Sequence, residues 1–194
     1  GTDTLYGEAG ADTLSGGSGA DMLYGGADND TIKGDAGTDT ITGGAGDDII
    51  EGGADADTVV FAGAKGDFTF AVDSDGTLTV TDTNTSTALG VDTISGVETL
   101  RFNDGDLTVT TTSGGDVTLT GTGVADDITL TGTGGATLEG EAGIDMLTGG
   151  SGGDVIDGGA GADTLAGGGE ADQLFGDAGA DTLYGEAGAD TLSG

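Results

Sequence analysis

The chain has 194 residues, of which 45 are Gly and 36 are Asp or Glu against three Lys or Arg, giving a formal net charge of −33 at pH 7. Five Phe, three Tyr and no Trp, Cys or His leave it without the makings of a large conventional core, without disulfides, and without the usual ligands of zinc, copper and iron. Such a surface excludes nucleic acid and anionic membranes as partners, and its self-repulsion leaves two states open to the chain: disorder, or a fold built around cations.

In chain order, the first feature is a nine-residue ruler that sets Asp3, Asp12, Asp21, Asp30, Asp39, Asp48 and Asp57 at equal intervals. The unit reads GGxGxDxUx, with U a large aliphatic residue, as in Gly16-Gly17-Ser18-Gly19-Ala20-Asp21-Met22-Leu23-Tyr24, followed directly by Gly25-Gly26-Ala27-Asp28-Asn29-Asp30-Thr31-Ile32-Lys33. Its six small residues predict a tight turn that uses positive φ, and Asp-x-U-x predicts only a brief strand. Alternation along that strand turns Leu5, Leu14, Leu23, Ile32, Ile41, Ile50 and Val59 inward as one column set and Thr4, Thr13, Thr31 and Thr40 toward water. A flexible Gly-rich linker has no reason to keep an aliphatic residue two places after every Asp. Tyr6 and Tyr24, both at ninth positions, are expected to stack on an outer face.

From Val59 to about Thr112 the ruler is expected to stop and alternation to take over. Asp67-Phe68-Thr69-Phe70-Ala71-Val72-Asp73 and Thr77-Leu78-Thr79-Val80-Thr81 read as two strands joined by a turn at Asp73-Ser74-Asp75-Gly76. That turn is not an EF-hand loop, because Asn84 stands where a bidentate Glu is required. Over residues 113–139, Thr118-Leu119-Thr120-Gly121-Thr122-Gly123 returns as Thr129-Leu130-Thr131-Gly132-Thr133-Gly134, which predicts solenoid rungs that mostly lack the acid: Ala136 stands at an Asp place, whereas Asp126 is a contributor. The ruler resumes over residues 140–194 with Asp145, Asp154, Asp163, Asp172, Asp181 and Asp190. Residues 179–194, GADTLYGEAGADTLSG, repeat residues 1–16 with Ala180 in place of Thr2 as the single change, a longer period of 178 residues.

These nonapeptides resemble the RTX, or hemolysin-type, calcium-binding repeat, over residues 1–60 and about 140–194. The segment Gly90–Gly105 resembles an accessory β-module that interrupts or caps such arrays. The resemblance implies an all-β fold, a parallel β-roll in which two nonapeptides make one turn and loops stack along each edge. Asp3, Asp21, Asp39 and Asp57 then line one edge and Asp12, Asp30 and Asp48 the other, with Asp145, Asp163 and Asp181 facing away from Asp154, Asp172 and Asp190 in the second array. It further implies several calcium ions held by these aspartates of stacked loops, together with carbonyls of loop residues such as Gly7, Gly10, Gly16, Gly19, Gly25, Gly34, Gly43, Gly149, Gly158, Gly167 and Gly176. The chemistry agrees with that implication. Carboxylates about 4.8 Å apart repel unless a cation lies between them, and calcium accepts six to eight hard oxygens with loose geometry, where magnesium demands a strict octahedron.

The expected organisation is a roll at 1–60, an accessory β-module at 61–112, degenerate rungs at 113–139 and a second roll at 140–194. No transmembrane segment is present, because no run of about 18 apolar residues occurs. The chain opens on Gly1 without a basic and apolar leader and reads as an excised or mature segment. It is expected to be secreted, by type I secretion, and to fold on extracellular calcium as a structural unit of a tandem-repeat adhesin stalk, S-layer or fibre, alongside other copies of itself. The alternative is the calcium-binding, secretion-assisting part of an exported hydrolase. No catalysis is expected of the chain itself, which has no His for a triad and no HExxH motif. Ice binding by a flat Thr face is disfavoured by Ala9, Ser18, Ala27, Ala36 and Ala45 in the loops.

Overall fold

The computed structural model describes residues 1–74, 76–84, 88–112 and 115–194. It is all-β, about 2% helical, and its stacked parallel coils make about 10 turns of β-solenoid. The chain forms two compact units, Gly1–Phe68 with Leu78–Asp104, and Thr69–Thr77 with Gly105–Gly194.

In the first unit the nonapeptides form six-residue strands, β1 (Thr4–Ala9), β2 (Thr13–Ser18), β3 (Met22–Ala27), β4 (Thr31–Ala36), β5 (Thr40–Ala45) and β6 (Ile49–Ala54), then the shorter β7 (Thr58–Val60). These strands are longer than the brief ones expected. Positions one to three of the unit, read as turn, continue the ladder, and the reversal is confined to positions four to six. Left-handed backbone falls at positions two and four, as at Gly26 (φ 120°) and Gly19 (φ 120°), which is why the unit asks for Gly there. Asp28 and Asp55 adopt the same geometry at position four, where a short polar side chain tolerates it.

Odd and even strands build separate sheets. In one, Leu5, Leu23, Ile41 and Val59 stand in register, and in the other Leu14, Ile32 and Ile50. Leu23, Ile32, Ile41, Ile50 and Val59 are fully buried, each contributing roughly 1.5–3 kcal/mol. Tyr6 and Tyr24 stack as expected, with ring centroids 4.9 Å apart and planes 7° from parallel.

After β7 a 3₁₀ turn (Lys65–Asp67) leads to β8 (Phe68–Val72), which from Thr69 on belongs to the second unit, and then, back in the first, to β9 (Leu78–Asp82), β10 (Val91–Ser95) and β11 (Thr99–Phe102). The turn expected at Asp73–Gly76 closes with the Gly76 N–H donating to Asp73 O at 2.8 Å, with Asp75 outside the described residues. The nine-residue ruler does stop at Val59, as the sequence reading has it, yet the coil goes on without it. Strand β10 pairs in parallel with β6, Ile94 opposite Ile50, and β11 with β7, Leu100 opposite Val59, so the chain returns to the solenoid register. Phe61, Phe68 and Phe102 pack together beside it, with centroids 5.2–5.3 Å apart. Lys65 is fully buried, its Nζ donating to Asp104 O at 3.2 Å.

The second unit adds β12 (Gly105–Thr111), β13 (Val117–Thr120), β14 (Asp127–Thr129), β15 (Ala136–Glu139), β16 (Ala142–Gly143), β17 (Met146–Thr148), β18 (Val155–Asp157), β19 (Ala160–Gly161), β20 (Thr164–Gly169), β21 (Gln173–Phe175), β22 (Ala178–Gly179), β23 (Thr182–Ala187) and β24 (Thr191–Ser193). After the antiparallel pair β12–β13, parallel ladders stack Leu119, Leu138, Ile156, Leu174 and Leu192 in one sheet, and Ile128, Leu147, Leu165 and Leu183 in another. Short strands β16, β19 and β22 form a third.

Candidate metal centre

Each sixth-position Asp is tied to its counterpart one coil away. The Asp21 N–H donates to Asp39 Oδ1 at 2.7 Å and the Asp39 N–H to Asp57 Oδ1 at 2.8 Å, while Asp12, Asp30 and Asp48 form the same ladder on the opposite edge. In the second unit Asp145 donates to Asp163 and Asp163 to Asp181, and Asp154 donates to Asp172 and Asp172 to Asp190. The edge partition read from the sequence is the one the backbone builds. Asp3 also joins, donating to Asp21 Oδ1 at 2.6 Å.

This bond engages one carboxylate oxygen. The other, Oδ2, is buried without a hydrogen-bond partner in Asp12, Asp21, Asp30, Asp39, Asp48, Asp57, Asp163 and Asp172. Burying a carboxylate oxygen unpaired costs several kcal/mol, so such atoms call for a cation or a proton.

The surroundings of each Oδ2 suit a cation. A Cβ added at Gly16 would lie 2.7 Å from Asp21 Oδ2 and 2.9 Å from Gly34 O; one at Gly140 would lie 2.6 Å from Asp145 Oδ2 and 2.8 Å from Gly158 O. The first glycine of the unit thus leaves open a cradle bounded by its own loop's carboxylate and the next coil's carbonyl. Gly7, Gly25, Gly34, Gly149 and Gly167 repeat the arrangement, facing the carbonyls of Gly25, Gly43, Gly52, Gly167 and Gly185 in turn, while Gly43 and Gly176 lie beside Asp48 and Asp181 Oδ2. Gly10 and Gly19, at position four, are placed differently: a Cβ at Gly10 meets nothing within 4 Å, and one at Gly19 meets Gly1 O rather than a carboxylate.

Burial pushes Asp57 and Asp154 up to about 6 and Asp92 up to about 7, and raises Asp39, Asp48 and Asp172 as well, although the backbone N–H donors oppose the shift. The neighbouring carboxylate of the same edge, Asp39 beside Asp57 for example, raises it further. These are the electrostatics of a site shaped for positive charge.

Two acidic residues outside the sequence reading join the ladders. The Asp48 N–H donates to Asp92 Oδ1 at 3.0 Å and the Asp57 N–H to Glu98 Oε2 at 2.8 Å. The signal was there to find, in Asp92 two places before Ile94 and Glu98 two places before Leu100. Asp126 takes a rung position, donating to Asp145 Oδ1 at 2.8 Å, and the Ala136 N–H donates to Asp154 Oδ1 at 2.8 Å with no carboxylate of its own.

The model of the RTX calcium-binding nonapeptide repeat matches this chain in four copies, at residues 1–32, 24–59, 130–165 and 166–194. The chain belongs to the RTX calcium-binding repeat family. RTX nonapeptides bind calcium, and hard carboxylate and carbonyl oxygens in a glycine-lined cradle fit that ion. The RTX match in the second array begins at residue 130, ahead of the expected start near 140. Among solved structures, the extracellular lipase LipA from Serratia marcescens is similar at 25% sequence identity and a TM-score of 0.39, over 91% of this chain and 32% of that one. The RTX chain therefore spans about a third of that lipase's length. No curated protein matches it.

Proposed function

We propose that this chain is an extracellular structural repeat module that stays unfolded in the exporting cell and folds when calcium enters its loops. The ligands are Asp3, Asp12, Asp21, Asp30, Asp39, Asp48 and Asp57 in a roll at 1–60, and Asp145, Asp154, Asp163, Asp172, Asp181 and Asp190 in a roll at 140–194, with first-position carbonyls. An accessory β-module and degenerate rungs at 61–112 and 113–139 join them. The observation that carries this reading is the row of buried Oδ2 atoms without partners, each beside a glycine cradle. Ions that bind only the folded coil stabilise it by mass action, and sites of the extracellular class, with Kd around 10⁻⁴–10⁻³ M, fill outside the cell but not in the cytosol. Among the described residues no helix is long and apolar enough to cross a membrane.

The role of tandem unit in an adhesin stalk, S-layer or fibre is supported by the near-identity of residues 179–194 with 1–16. The same hexapeptide TLYGEA forms β1 at the start of one array and β23 at the end of the other, with the same burial pattern. One copy's second array can therefore run on into the next copy's first without a change of register, and a stack of coils of this kind is stiff along its axis. Circular dichroism in calcium and in chelator tests the folding claim. A β signal that chelator leaves unchanged defeats it. For the tandem claim, small-angle scattering of one-copy and two-copy chains is expected to show length growing by one module; a two-copy chain that scatters as two freely jointed beads defeats that part alone.

A further inference from the structure

Gly90-Val91-Asp92-Thr93-Ile94-Ser95 is followed directly by Gly96-Val97-Glu98-Thr99-Leu100-Arg101. Each hexapeptide keeps the acid two places before an aliphatic residue and drops three loop positions of the nonapeptide. We propose that residues 90–102 are a surrogate rung whose Asp92 and Glu98 close the last calcium site on each edge of the first array, Asp48 with Asp92 and Asp57 with Glu98. This rests on the reading that calcium sits between stacked loops.

The backbone matches the rung position by position. Gly90 takes the fourth place: a Cβ on it would meet Gly46 O and lie 2.8 Å from Asp47 Oδ1, as one on Gly46 lies 2.5 Å from Asp28 O. Val91 takes the fifth, its N–H donating to Asp47 Oδ1 at 2.9 Å where the Asp47 N–H donates to Asn29 Oδ1 at 3.0 Å. Asp92 then falls at the sixth, buried, with Ile94 opposite Ile50 at the eighth. Phe61 follows β7 at a first position, its N–H donating to Arg101 O at 2.8 Å, so in sequence the stretch between Phe61 and Gly90 is an insertion into one loop of the coil.

On the other edge Gly96 takes the first place. Its carbonyl accepts the Gly53 N–H at 3.0 Å and meets a Cβ built on Gly52, a Cβ that would also lie 2.8 Å from Asp57 Oδ2. Only Val97 separates Gly96 from Glu98, whereas four residues separate Gly52 from Asp57. A loop shortened by three residues holds its backbone back from the edge. The extra methylene of Glu restores the reach, and its Oε2 accepts the Asp57 N–H where an Asp Oδ1 accepts elsewhere.

Both sites carry an independent sign of a ligand. Asp48 Oδ2 and Asp57 Oδ2 are buried and without partners, in residues each 1% exposed. A cavity of about 30 Å³ reaches Asp92 and is lined also by Gly43, Gly44, Phe61 and Leu89 among others, room for one ion or one water.

Crystals of the whole chain grown in calcium, with anomalous maps at long wavelength, decide the matter without any substitution. The expected result is a calcium peak within about 2.3–2.6 Å of carboxylates of both Asp48 and Asp92, and another joining Asp57 to Glu98, besides peaks between Asp21 and Asp39. Peaks at Asp21 and Asp39 with water or nothing at Asp92 and Glu98 overturn this proposal and leave the calcium reading standing; no peak on any edge overturns the reading itself. In solution, Asp92→Asn and Glu98→Gln are each expected to lose one bound calcium by equilibrium dialysis, with Asp21→Asn as the mid-array reference. Unchanged stoichiometry in folded Asp92→Asn and Glu98→Gln, alongside a loss in Asp21→Asn, also counts against it.

Discussion

The Asp39 N–H donates to Asp57 Oδ1 at 2.8 Å, leaving Asp57 Oδ2 buried beside Gly52 with no partner. One carboxylate therefore does two things on separate oxygens. The first holds the coil spacing, and the second adds negative charge that the fold alone does not neutralise.

Asp57→Asn separates these roles. The amide keeps the Oδ1 acceptor and turns an NH₂ group toward carbonyl oxygens that a carboxylate repels. Calcium titrations followed by circular dichroism are expected to show Asp57→Asn folding with affinity lowered on the order of ten-fold, about 1.4 kcal/mol. Asp57→Ala removes both oxygens and is expected to lose stability in saturating calcium as well, where Asp57→Asn stays the more stable of the two in urea melts. A calcium affinity of Asp57→Asn equal to that of wild type would show that the charge plays no part.

Acid partly replaces calcium. Burial lifts Asp57 and Asp154 to about 6 and Asp92 to about 7, above the ordinary Asp value of 3.8 that they regain on unfolding. Between about pH 4 and pH 7 the folded metal-free chain therefore holds protons that the unfolded chain has released, and its stability falls as pH rises through that window. In chelator, the β signal by circular dichroism, absent at about pH 7.5, is expected to return in part as pH is lowered to about 5. Calcium needs the ionised carboxylates, so adding it to the folded chain near pH 5.5 is expected to release protons, measurable in a weakly buffered titration. A chelated β signal that grows with pH over this range would contradict the assignment.

Two glycines distinguish space from strain. Gly34 has a φ outside the left-handed region, yet a Cβ there would lie 2.5 Å from Asp39 Oδ2 and meet Gly52 O. Gly10 has a φ of 111° with nothing within 4 Å of its would-be Cβ. Gly34→Ala is expected to lose at least one calcium ion, because the methyl occupies the cradle. Gly10→Ala is expected to cost about 1–3 kcal/mol of backbone strain and to keep the ion count. Equilibrium dialysis with a thermal melt measures both, and an unchanged count in Gly34→Ala would place the ion elsewhere.

The nonapeptide made the two ladders legible because each rung repeats one local rule, an Asp two places before a buried aliphatic residue. The sorting of Asp21 and Asp39 from Asp30 and Asp48 came instead from the β-roll that the RTX resemblance implies, with two nonapeptides to a turn. The local rule missed Asp92 and Glu98 because they return to the stack 44 and 41 residues after Asp48 and Asp57, and a fixed period cannot see across an insertion. Strand length was misread in the first array, whereas β17, β18 and β21 of the second are as brief as expected. Gly16 and Gly17 look like turn residues, yet the ladder runs on through Ser18: the small size of Gly16 lets Gly34 O of the next coil approach, and Gly17 supplies a φ of 91°.

The degenerate rungs test whether the sixth position alone makes a site. Gly121 stands at the first position of the coil beside Asp126: its N–H donates to Glu139 O at 2.7 Å, as the Gly140 N–H donates to Asp157 O at 2.8 Å. A Cβ there would meet Asp126 Oδ2 and lie 3.2 Å from Gly140 O, the placement of the regular units, although here the Thr122 N–H also donates to that Oδ2 at 2.7 Å. In the neighbouring rung the N–H in that place, donating to Thr148 O at 2.8 Å, belongs to Leu130, whose side chain is buried, and the sixth position is Ala136. The acid is present where the first position is Gly and absent where it is Leu, as expected if a bulky first residue takes the ion's space. Asp126→Asn is therefore expected to release one calcium ion, whereas Ala136→Asp gains none and destabilises the calcium-loaded chain by about 1–3 kcal/mol, the cost of a buried group left unsatisfied. Ion counting by equilibrium dialysis and melts in calcium measure both. An additional ion bound by Ala136→Asp would show that the first position imposes no such requirement.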